Sequence, residues 1–257
     1  YLKEGEEFIQ GDILDHEGVV RAVEGSQYVY NFAGIADLDD ATTKPIETVK
    51  QNIEGTVNIL EACRKAGAER FIYASTVYVY SEKGGFYRCS KQAAEIYIEE
   101  FQRRYGIDYT ILRYGTLYGP RADERNSIFR YLKEALTQKR ITVYGNGEEL
   151  REYIHVRDAA ELTVKILGHE YKNRHLIITG HHPIKLKDLM ETIKEILDNS
   201  IEVIYKPGEN PAHYTVTPYS YTPKIGKKLT TDCYSDLGQG LIECLSEIDK
   251  TLLNFFI

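Results

Sequence analysis

Tyr87 and Lys91 are side chains whose types and spacing suggest acid–base chemistry. They stand four residues apart in a stretch with helical periodicity, so both project from the same face of a helix. An ammonium group beside a phenol stabilises the phenolate, so Lys91 is expected to lower the tyrosine pKa from its usual value of about 10. Such a tyrosine can take a proton from an alcohol near neutral pH. The same spacing also occurs on ordinary surface helices, so the pair needs support from its surroundings.

A strand of the buried type, ending in two hydroxyl groups, lies just before this helix. Residues 70–76 read Arg-Phe-Ile-Tyr-Ala-Ser-Thr, with Ser75 and Thr76 at the end. Open α/β sheets place their ligands at the carboxyl ends of parallel strands. A hydroxyl there, together with Tyr87 and Lys91, gives the three groups that polarise and deprotonate a carbinol. The sequence therefore predicts a site at the end of this strand.

The elements that must position these groups follow an alternating pattern. Short β-branched and aromatic runs alternate with amphipathic stretches up to about residue 115, which is typical of βα units and a parallel sheet. The predicted elements of this part are strands at 7–10, 28–32, 70–74 and 109–113 and helices at 16–24, 45–66 and 87–105. We predict an α/β fold with a doubly wound parallel sheet in residues 1–115 and a smaller mixed α/β lobe in residues 116–257.

Composition limits the class of protein further. The chain has 257 residues, of which 42% are hydrophobic and 28% charged, the mixture of an ordinary globular protein. A net charge of −7 disfavours a nucleic-acid partner. Apolar runs are too short for a membrane span, and the four cysteines lack the spacing of a zinc site. We therefore expect a cytoplasmic protein with no metal and with neither a membrane nor a nucleic acid as partner.

These motifs resemble the extended short-chain dehydrogenase/reductase family, in its nucleotide-sugar epimerase/dehydratase branch. Further segments match that family in its own order, namely Gly11-Asp12-Ile13, Asn31-Phe32-Ala33-Gly34, Asn52-Ile53-Glu54-Gly55-Thr56, the run 112–121 and the run 151–158. The resemblance covers most of the chain. It implies a Rossmann-like dinucleotide-binding fold, a substrate-binding lobe and NAD as cofactor, with NADP as the alternative.

The resemblance also implies individual roles. Aligning Val79–Tyr80 with the family's Val-Tyr pair makes Thr76, rather than Ser75, the hydroxyl that bonds the reacting oxygen. Tyr87 is then the acid/base, and Lys91 bonds the nicotinamide ribose. The residues implied for the cofactor are Asp12, Ile13, Phe32, Ala33, Gly34, Asn52, Ala74, Tyr87, Lys91 and Tyr114. Those implied for the sugar nucleotide are Thr76, Thr116, Asn126 and Arg151, the arginine through the phosphates.

The glycine-rich turn with which the family's fold opens has no counterpart in this sequence. In the family that turn and its helix cradle the pyrophosphate. The first strand placed here resembles the family's third, and a parallel sheet that loses its middle leaves unpaired backbone groups. We therefore expect the chain to be a piece of a longer polypeptide. The alternative is a natural short form that binds no dinucleotide.

The residues after Thr76 bear on the reaction. Val77 and Tyr78 stand where the family's dehydratases have Asp-Glu and its decarboxylases Ser-Glu. Those reactions need an extra acid, so its absence favours simple oxidation and reduction. The implied function is that of an NAD(P)-dependent nucleotide-sugar 4-epimerase acting through a transient keto sugar. The alternatives are an NADP-dependent ketoreductase or dehydratase and, in another class, a non-catalytic dinucleotide- or sugar-nucleotide-binding protein.

The helices predicted at 45–66 and 87–105 resemble the pair that forms a four-helix interface in many members of the family. A closed twofold interface of this kind buries the same surface on both copies. We therefore expect a homodimer through these helices.

Overall fold

The computed structural model describes residues 2–208 and 227–254, with no side chains described for 251–254. The chain divides into two compact units. One comprises Tyr1–Leu112 with Gly168–His175, and the other comprises Arg113–Leu167 with Leu176–Ile257. Within the described part of the chain, no helix is both long enough and apolar enough to cross a membrane.

Helices and strands alternate along the chain. The helices are α1 (His16–Val23), α2 (Leu38–Thr43), α3 (Pro45–Val49), α4 (Gly55–Ala66), α5 (Gly85–Tyr105), α6 (Ser127–Gln138), α7 (Val156–Lys165), α8 (Leu186–Ile196) and α9 (Leu237–Asn254). The strands are β1 (Tyr28–Asn31), β2 (Arg70–Thr76), β3 (Asp108–Tyr114), β4 (Thr116–Tyr118), β5 (Arg140–Tyr144), β6 (Leu150–Arg151), β7 (Tyr153–His155), β8 (Arg174–Ile178), β9 (Ile184–Lys185), β10 (Glu202–Lys206) and β11 (Lys227–Leu229).

A five-stranded sheet has the order β1-β2-β3-β8-β11. Strand β1 runs parallel to β2, with Tyr28 beside Arg70 and Asn31 beside Tyr73. Strand β11 likewise runs parallel to β8. Because β1 and β2 point the same way in register, the backbone that follows both strands leaves one edge of the sheet. The predicted α/β fold with a parallel sheet is confirmed.

The core of the first unit lies between the sheet and helices α4 and α5. Leu60 and Cys63 of α4, Ala94 and Ile98 of α5, and Phe71 of β2 are buried in one apolar cluster. Helix α5 begins after Gly84 and ends at Gly106, both glycines having positive φ values. Glycine adopts this left-handed conformation without a steric penalty. These two glycines bound α5. The apolar face of the helix packs on β2, the strand that carries the predicted hydroxyls.

The second unit has a separate core. Leu132 of α6, Ile141 of β5, Leu189 and Met190 of α8, and Leu241 of α9 are fully buried in it. Strands β10 and β5 pair in parallel, and so do β4 and β7. The mixture of short strand pairs and helices agrees with the irregular pattern in this part of the sequence.

The helix predicted at 45–66 contains an interruption. Between α3 and α4 the residues Lys50–Glu54 form a π-helical turn, and Asn52 within it is buried. Such turns insert one extra residue into a helix and are frequent at functional sites. The turn therefore directs Asn52 inward from a helix that otherwise follows its predicted bounds.

The prediction of a strand at residues 7–10 is wrong. These residues are exposed and have no regular secondary structure. A strand requires a neighbour for its backbone hydrogen bonds, and within the described residues β1 at the edge of the sheet pairs with β2 alone. The apolar side chains of Phe8 and Ile9 consequently lie at the surface.

Candidate active site

Strand β2 ends in the hydroxyl residues that the sequence singles out. Thr76 is its last residue, and its side-chain oxygen accepts a hydrogen bond from the backbone N–H of Tyr78 at 3.2 Å. This contact caps the short 3₁₀ turn Val77–Tyr80 that follows the strand. Thr76 is buried and hydrogen-bonds the side chain of Tyr87. The strand end and the first turn of α5 therefore meet at these two hydroxyls.

Lys91 lies one turn further along α5, beside the same strand. Its Nζ atom donates a hydrogen bond to the backbone oxygen of Ala74 at 2.7 Å. The ammonium also lies 4.7 Å from the ring centre of Tyr73 and 5.8 Å from that of Tyr87. Only 5% of Lys91 is exposed. The structure thus brings Thr76, Tyr87 and Lys91 together as the sequence predicts.

Removal from water governs the protonation of Tyr87 and Lys91. Burial raises the pKa of Tyr87 to about 12, and the hydrogen bond with Thr76 opposes that rise. Burial lowers the pKa of Lys91 to about 8, while the charge of Glu95 acts in the opposite direction. The expectation that Lys91 brings the pKa of Tyr87 below 10 is therefore wrong, because desolvation of the phenolate has the largest effect on that pKa. At pH 7 the site holds a neutral phenol beside an ammonium.

Asn52 connects the loop after β1 to the start of α5. Its Oδ1 atom accepts from the backbone N–H of Ile35 at 2.7 Å, and its Nδ2 atom donates to Ile35 O at 2.9 Å. Nδ2 also donates to Ser90 Oγ at 2.8 Å, and Ser90 in turn donates to the backbone oxygen of Tyr87 at 2.8 Å. Gly34 has a φ of +141°, and a Cβ there would lie 2.5 Å from Asn52 Oδ1. The side-chain amide of Asn52 thus holds both the loop after β1 and the first turns of α5 in place.

Replacing Asn52 by alanine destabilises the fold strongly, because three hydrogen bonds are lost and partly buried backbone groups of Ile35 lose their partner. We expect a loss of about 2–4 kcal/mol in the free energy of unfolding, measured by urea denaturation. Asn58→Ala is the matched control. Asn58 lies on α4, is partly buried and donates one hydrogen bond to Ile13 O at 3.1 Å. Its loss is expected near 1 kcal/mol, and equal losses for the two variants would contradict this account.

The residues predicted to bind the cofactor near the start of the chain lie around the loops before α1 and after β1. Asp12 is exposed, and its Oδ1 atom accepts from Leu14 N at 2.9 Å. Ile13 packs against α4, where a Cβ on Gly55 would lie 2.4 Å from its Cδ1 atom. After β1, Ala33 and Gly34 are exposed, and Phe32 is 59% exposed. Their backbone and side-chain surface is open to a ligand.

The remaining predicted residues lie in the second unit, all of them partly buried. The hydroxyl of Tyr114 hydrogen-bonds Thr163 Oγ1 at 2.5 Å, and Thr116 lies in β4 beside Tyr153. Asn126 caps α6, with Oδ1 accepting from Phe129 N at 3.1 Å and Nδ2 donating to Leu117 O at 2.8 Å. Arg151 donates to the backbone oxygen of Leu150 at 3.2 Å. Their roles toward a substrate stay predictions.

Two residues at the site escaped the sequence analysis. Glu95 is buried one turn beyond Lys91, and Ser90 is the link between Asn52 and Tyr87. The signal for Glu95 is present, since positions 87, 91 and 95 recur at four-residue intervals on the face that packs on the sheet. No comparable signal exists for Ser90, whose partner is 38 residues away in the chain.

No cluster of three or more histidine, cysteine or acidic side chains suited to a metal ion occurs within the described ranges. All four cysteines lie in those ranges, and each is a free thiol. The polar groups of the site are hydroxyl, phenol, amide and ammonium groups, which act by hydrogen bonding and proton transfer.

A threonine at the end of a parallel strand, with a tyrosine and a buried lysine of the next helix beside it, supplies groups that can bind and protonate the oxygen of an alcohol or ketone. The family model described as the NAD dependent epimerase/dehydratase family matches residues 2–179. The chain belongs to this family.

Individual relatives come from several branches of the family. A UDP-glucuronate 4-epimerase from Thermodesulfobacterium geofontis is 28% identical over 216 residues, which cover 76% of this chain and 66% of the relative. A dTDP-glucose 4,6-dehydratase from Mycobacterium tuberculosis is also 28% identical, with 89% of this chain and 78% of the relative covered. The first match thus spans just under two thirds of that relative's length.

Among solved structures, a UDP-glucose 4-epimerase from Thermotoga maritima with bound UDP-glucose is similar over almost the whole chain. The TM-score is 0.83 at 26% identity, and the alignment covers 98% of this chain and 87% of that protein. This similarity agrees with the predicted fold and with the family assignment.

Proposed function

We propose that the chain acts as an NAD-dependent nucleotide-sugar 4-epimerase. The observation that carries the proposal is the hydrogen bond between Thr76 and Tyr87 beside the buried ammonium of Lys91. In this role the cofactor would bind residues 1–115 and the sugar nucleotide would bind residues 116–257. The epimerases among the relatives support this reading, since they are a UDP-glucuronate 4-epimerase and a UDP-glucose 4-epimerase.

Tyr87 moves the proton in this proposal. Its pKa of about 12 keeps the proton on the phenol at pH 7, which suits delivery to the oxygen of a keto sugar as the alcohol forms. Oxidation of the sugar comes first in the cycle and needs the phenolate, so the resting phenol first gives its proton to solvent. The phenolate, which the ammonium of Lys91 stabilises, then takes the proton from the sugar hydroxyl. Thr76 hydrogen-bonds the same sugar oxygen and orients it. One cycle restores the protonation of Tyr87.

The residues at the ends of β1 and β2 fit the nicotinamide side of NAD. Gly34 is exposed and has the positive φ that leaves its backbone open to a ligand, and Asn52 fixes the loop around it. Lys91 presents buried N–H donors to a ribose beside Tyr87. NAD bound there would accept a hydride from the sugar carbon and return it to the other face of the keto sugar. In the proposal Asp12, Ile13, Phe32, Ala33, Ala74 and Tyr114 complete the cofactor contacts.

The substrate in this proposal is a nucleoside diphosphate sugar. Arginine suits a diphosphate because its guanidinium donates two parallel hydrogen bonds, and Arg151 has that role here. Thr116 and Asn126 would contact the sugar nucleotide as well. The segment after Thr76 supports epimerisation over dehydration, since Val77, which is buried, and Tyr78 stand where elimination would need an acid.

Supplying the protein with NAD and UDP-glucose, UDP-galactose or UDP-glucuronate tests the proposed reaction. We expect the C4 epimers to interconvert, as detected by anion-exchange chromatography. The absorbance of the reduced cofactor should show no net change. Net consumption of NADPH would instead identify a ketoreductase, and formation of a 4-keto-6-deoxy sugar would identify a dehydratase. Calorimetric binding of NAD and UDP sugar without turnover would point to a non-catalytic protein.

A homodimer through α3, α4 and α5 is part of the proposal. Ile46 and Val49 of α3 are 72% and 52% exposed, and Ile96 and Tyr97 of α5 are 63% and 49% exposed. Apolar side chains at this density on neighbouring helices are typical of a surface that a second copy covers. Free thiols throughout favour a reducing compartment, so we place the protein in the cytoplasm.

A further inference from the structure

A cluster of buried polar side chains lies behind the Tyr87–Lys91 pair. Ser75 Oγ donates a hydrogen bond to Glu95 Oε1 at 2.5 Å. His175 lies between two carboxylates, with Nδ1 at 3.6 Å from Glu95 Oε2 and Nε2 at 2.9 Å from Glu99 Oε1. The side chains of Glu95 and Glu99 are only 6% and 9% exposed. Glu95 is therefore anchored by β2 on one side and by β8 on the other.

The same strand end aligns Glu95 with Lys91. Lys91 Nζ donates to the backbone oxygen of Ala74, and the next residue, Ser75, donates to Glu95. Lys91 and Glu95 stand four residues apart on α5, a spacing that brings helical side chains next to each other. They are 5% and 4% exposed, so little water screens their charges. The two contacts with consecutive residues of β2, together with this spacing, bring the Lys91 ammonium within electrostatic range of the Glu95 carboxylate.

Burying an ammonium group costs desolvation free energy unless an opposite charge lies nearby. The titratable groups that face Lys91 are Tyr73 from β2 and Tyr87 and Glu95 from α5. Of these, Glu95 favours the charged form of Lys91, while desolvation favours the neutral amine and brings the pKa to about 8. Glu95 in turn faces Tyr73 and Ser75 from β2 and His175 from β8.

We propose that Glu95, held by Ser75 and His175, is a positioning residue that keeps the Lys91 side chain charged and directed at Tyr87. The inference deepens the proposed function and rests on it for the role of Lys91. It predicts that the proton affinity of Lys91 depends on the carboxylate of Glu95, independently of any turnover. A purely structural Glu95 would fill space between α5 and the sheet without that dependence.

Titration of Lys91 by NMR tests this directly, with the lysine side chains labelled with ¹³C and ¹⁵N and the Lys91 signal assigned through Lys91→Arg. In the wild-type protein we expect titration near pH 8. In Glu95→Gln the proton affinity of Lys91 falls about ten-fold or more, the size that loss of a close opposite charge produces. Glu95→Asp keeps the charge and restores most of the affinity.

Glu99→Gln is the matched control, because it removes another buried carboxylate of the same helix that also contacts His175. Its effect on Lys91 is expected to be less than about a third of that of Glu95→Gln, since the charge lies a further turn away. If Glu95→Gln does not fold, Glu95→Met removes the same charge with an apolar side chain of similar length and must give the same fall.

A fall of less than about three-fold in the Glu95 variant, or an equal fall in Glu99→Gln, would overturn the proposal. Activity is a separate readout. If the wild-type protein turns over no nucleotide sugar, the proposed function fails while the Lys91 titration still decides the role of Glu95.

Discussion

We expect Tyr87→Phe to lower the proposed epimerase turnover by about three orders of magnitude, within the range that general acid–base groups contribute. The substitution removes one hydroxyl and leaves the ring, which packs edge-on against Tyr78 with centroids 6.2 Å apart. The loss should therefore fall on kcat, with the substrate KM changed only a few-fold. Thermal unfolding and circular dichroism should match the wild-type protein. The measurement is steady-state turnover of the UDP sugar that the wild-type protein accepts.

Tyr144→Phe provides the matched control for this variant. Tyr144 lies in β5 of the other unit, is 62% exposed, and belongs to neither the proposed site nor the proposed dimer surface. Its turnover should equal that of the wild-type protein. Retention of more than about a tenth of the activity by Tyr87→Phe would mean that another group transfers the proton.

Lys91→Met should lower turnover by about two to three orders of magnitude at pH 7, comparable to removal of a preorganised donor from an active site. The variant keeps the length of the side chain but loses the ammonium beside Tyr87 and the hydrogen bond to Ala74 O. It also leaves the buried Glu95 carboxylate without its neighbouring cation, which disfavours the fold. Turnover should be measured alongside urea denaturation to separate the two effects.

The pH profile distinguishes the charge of Lys91 from its bulk. The wild-type ammonium is present below its pKa of about 8 and is lost as the pH rises through that value. Turnover that depends on the charge therefore declines above pH 8, and this limb should be missing in Lys91→Met. Lys65→Met, an exposed lysine of α4, should keep both the activity and the profile of the wild-type protein. If the decline in turnover above pH 8 persists in Lys91→Met, a group other than Lys91 causes that decline.

Local patterns were sufficient to predict the elements that carry the reacting groups. The four-residue spacing of Tyr87 and Lys91 placed both on one face of a helix, and the predicted helix at 87–105 matches α5 closely. The β-branched and aromatic run before Thr76 marked β2. Both signals depend on residues close in the chain, so they remain valid whatever packs against them.

Features that depend on distant packing could not be predicted in this way. The π-helical turn around Asn52 follows from hydrogen bonds to Ile35 and Ser90, which neighbouring sequence does not specify. The pKa of Tyr87 rises because the surrounding elements exclude water, whereas the sequence displayed only the adjacent lysine. His175 reaches Glu95 and Glu99 across a separation of about eighty residues.

In the proposed mechanism Thr76, Tyr87 and Lys91 surround a single carbinol of the substrate. A crystal structure of the protein with reduced cofactor and UDP-glucose tests it most directly. We expect Tyr87 Oη and Thr76 Oγ1 both within about 3 Å of the oxygen on the sugar C4 atom, the usual length of a hydrogen bond. A sugar bound with that oxygen more than about 5 Å from Tyr87 Oη, beyond hydrogen-bond reach, would contradict the account.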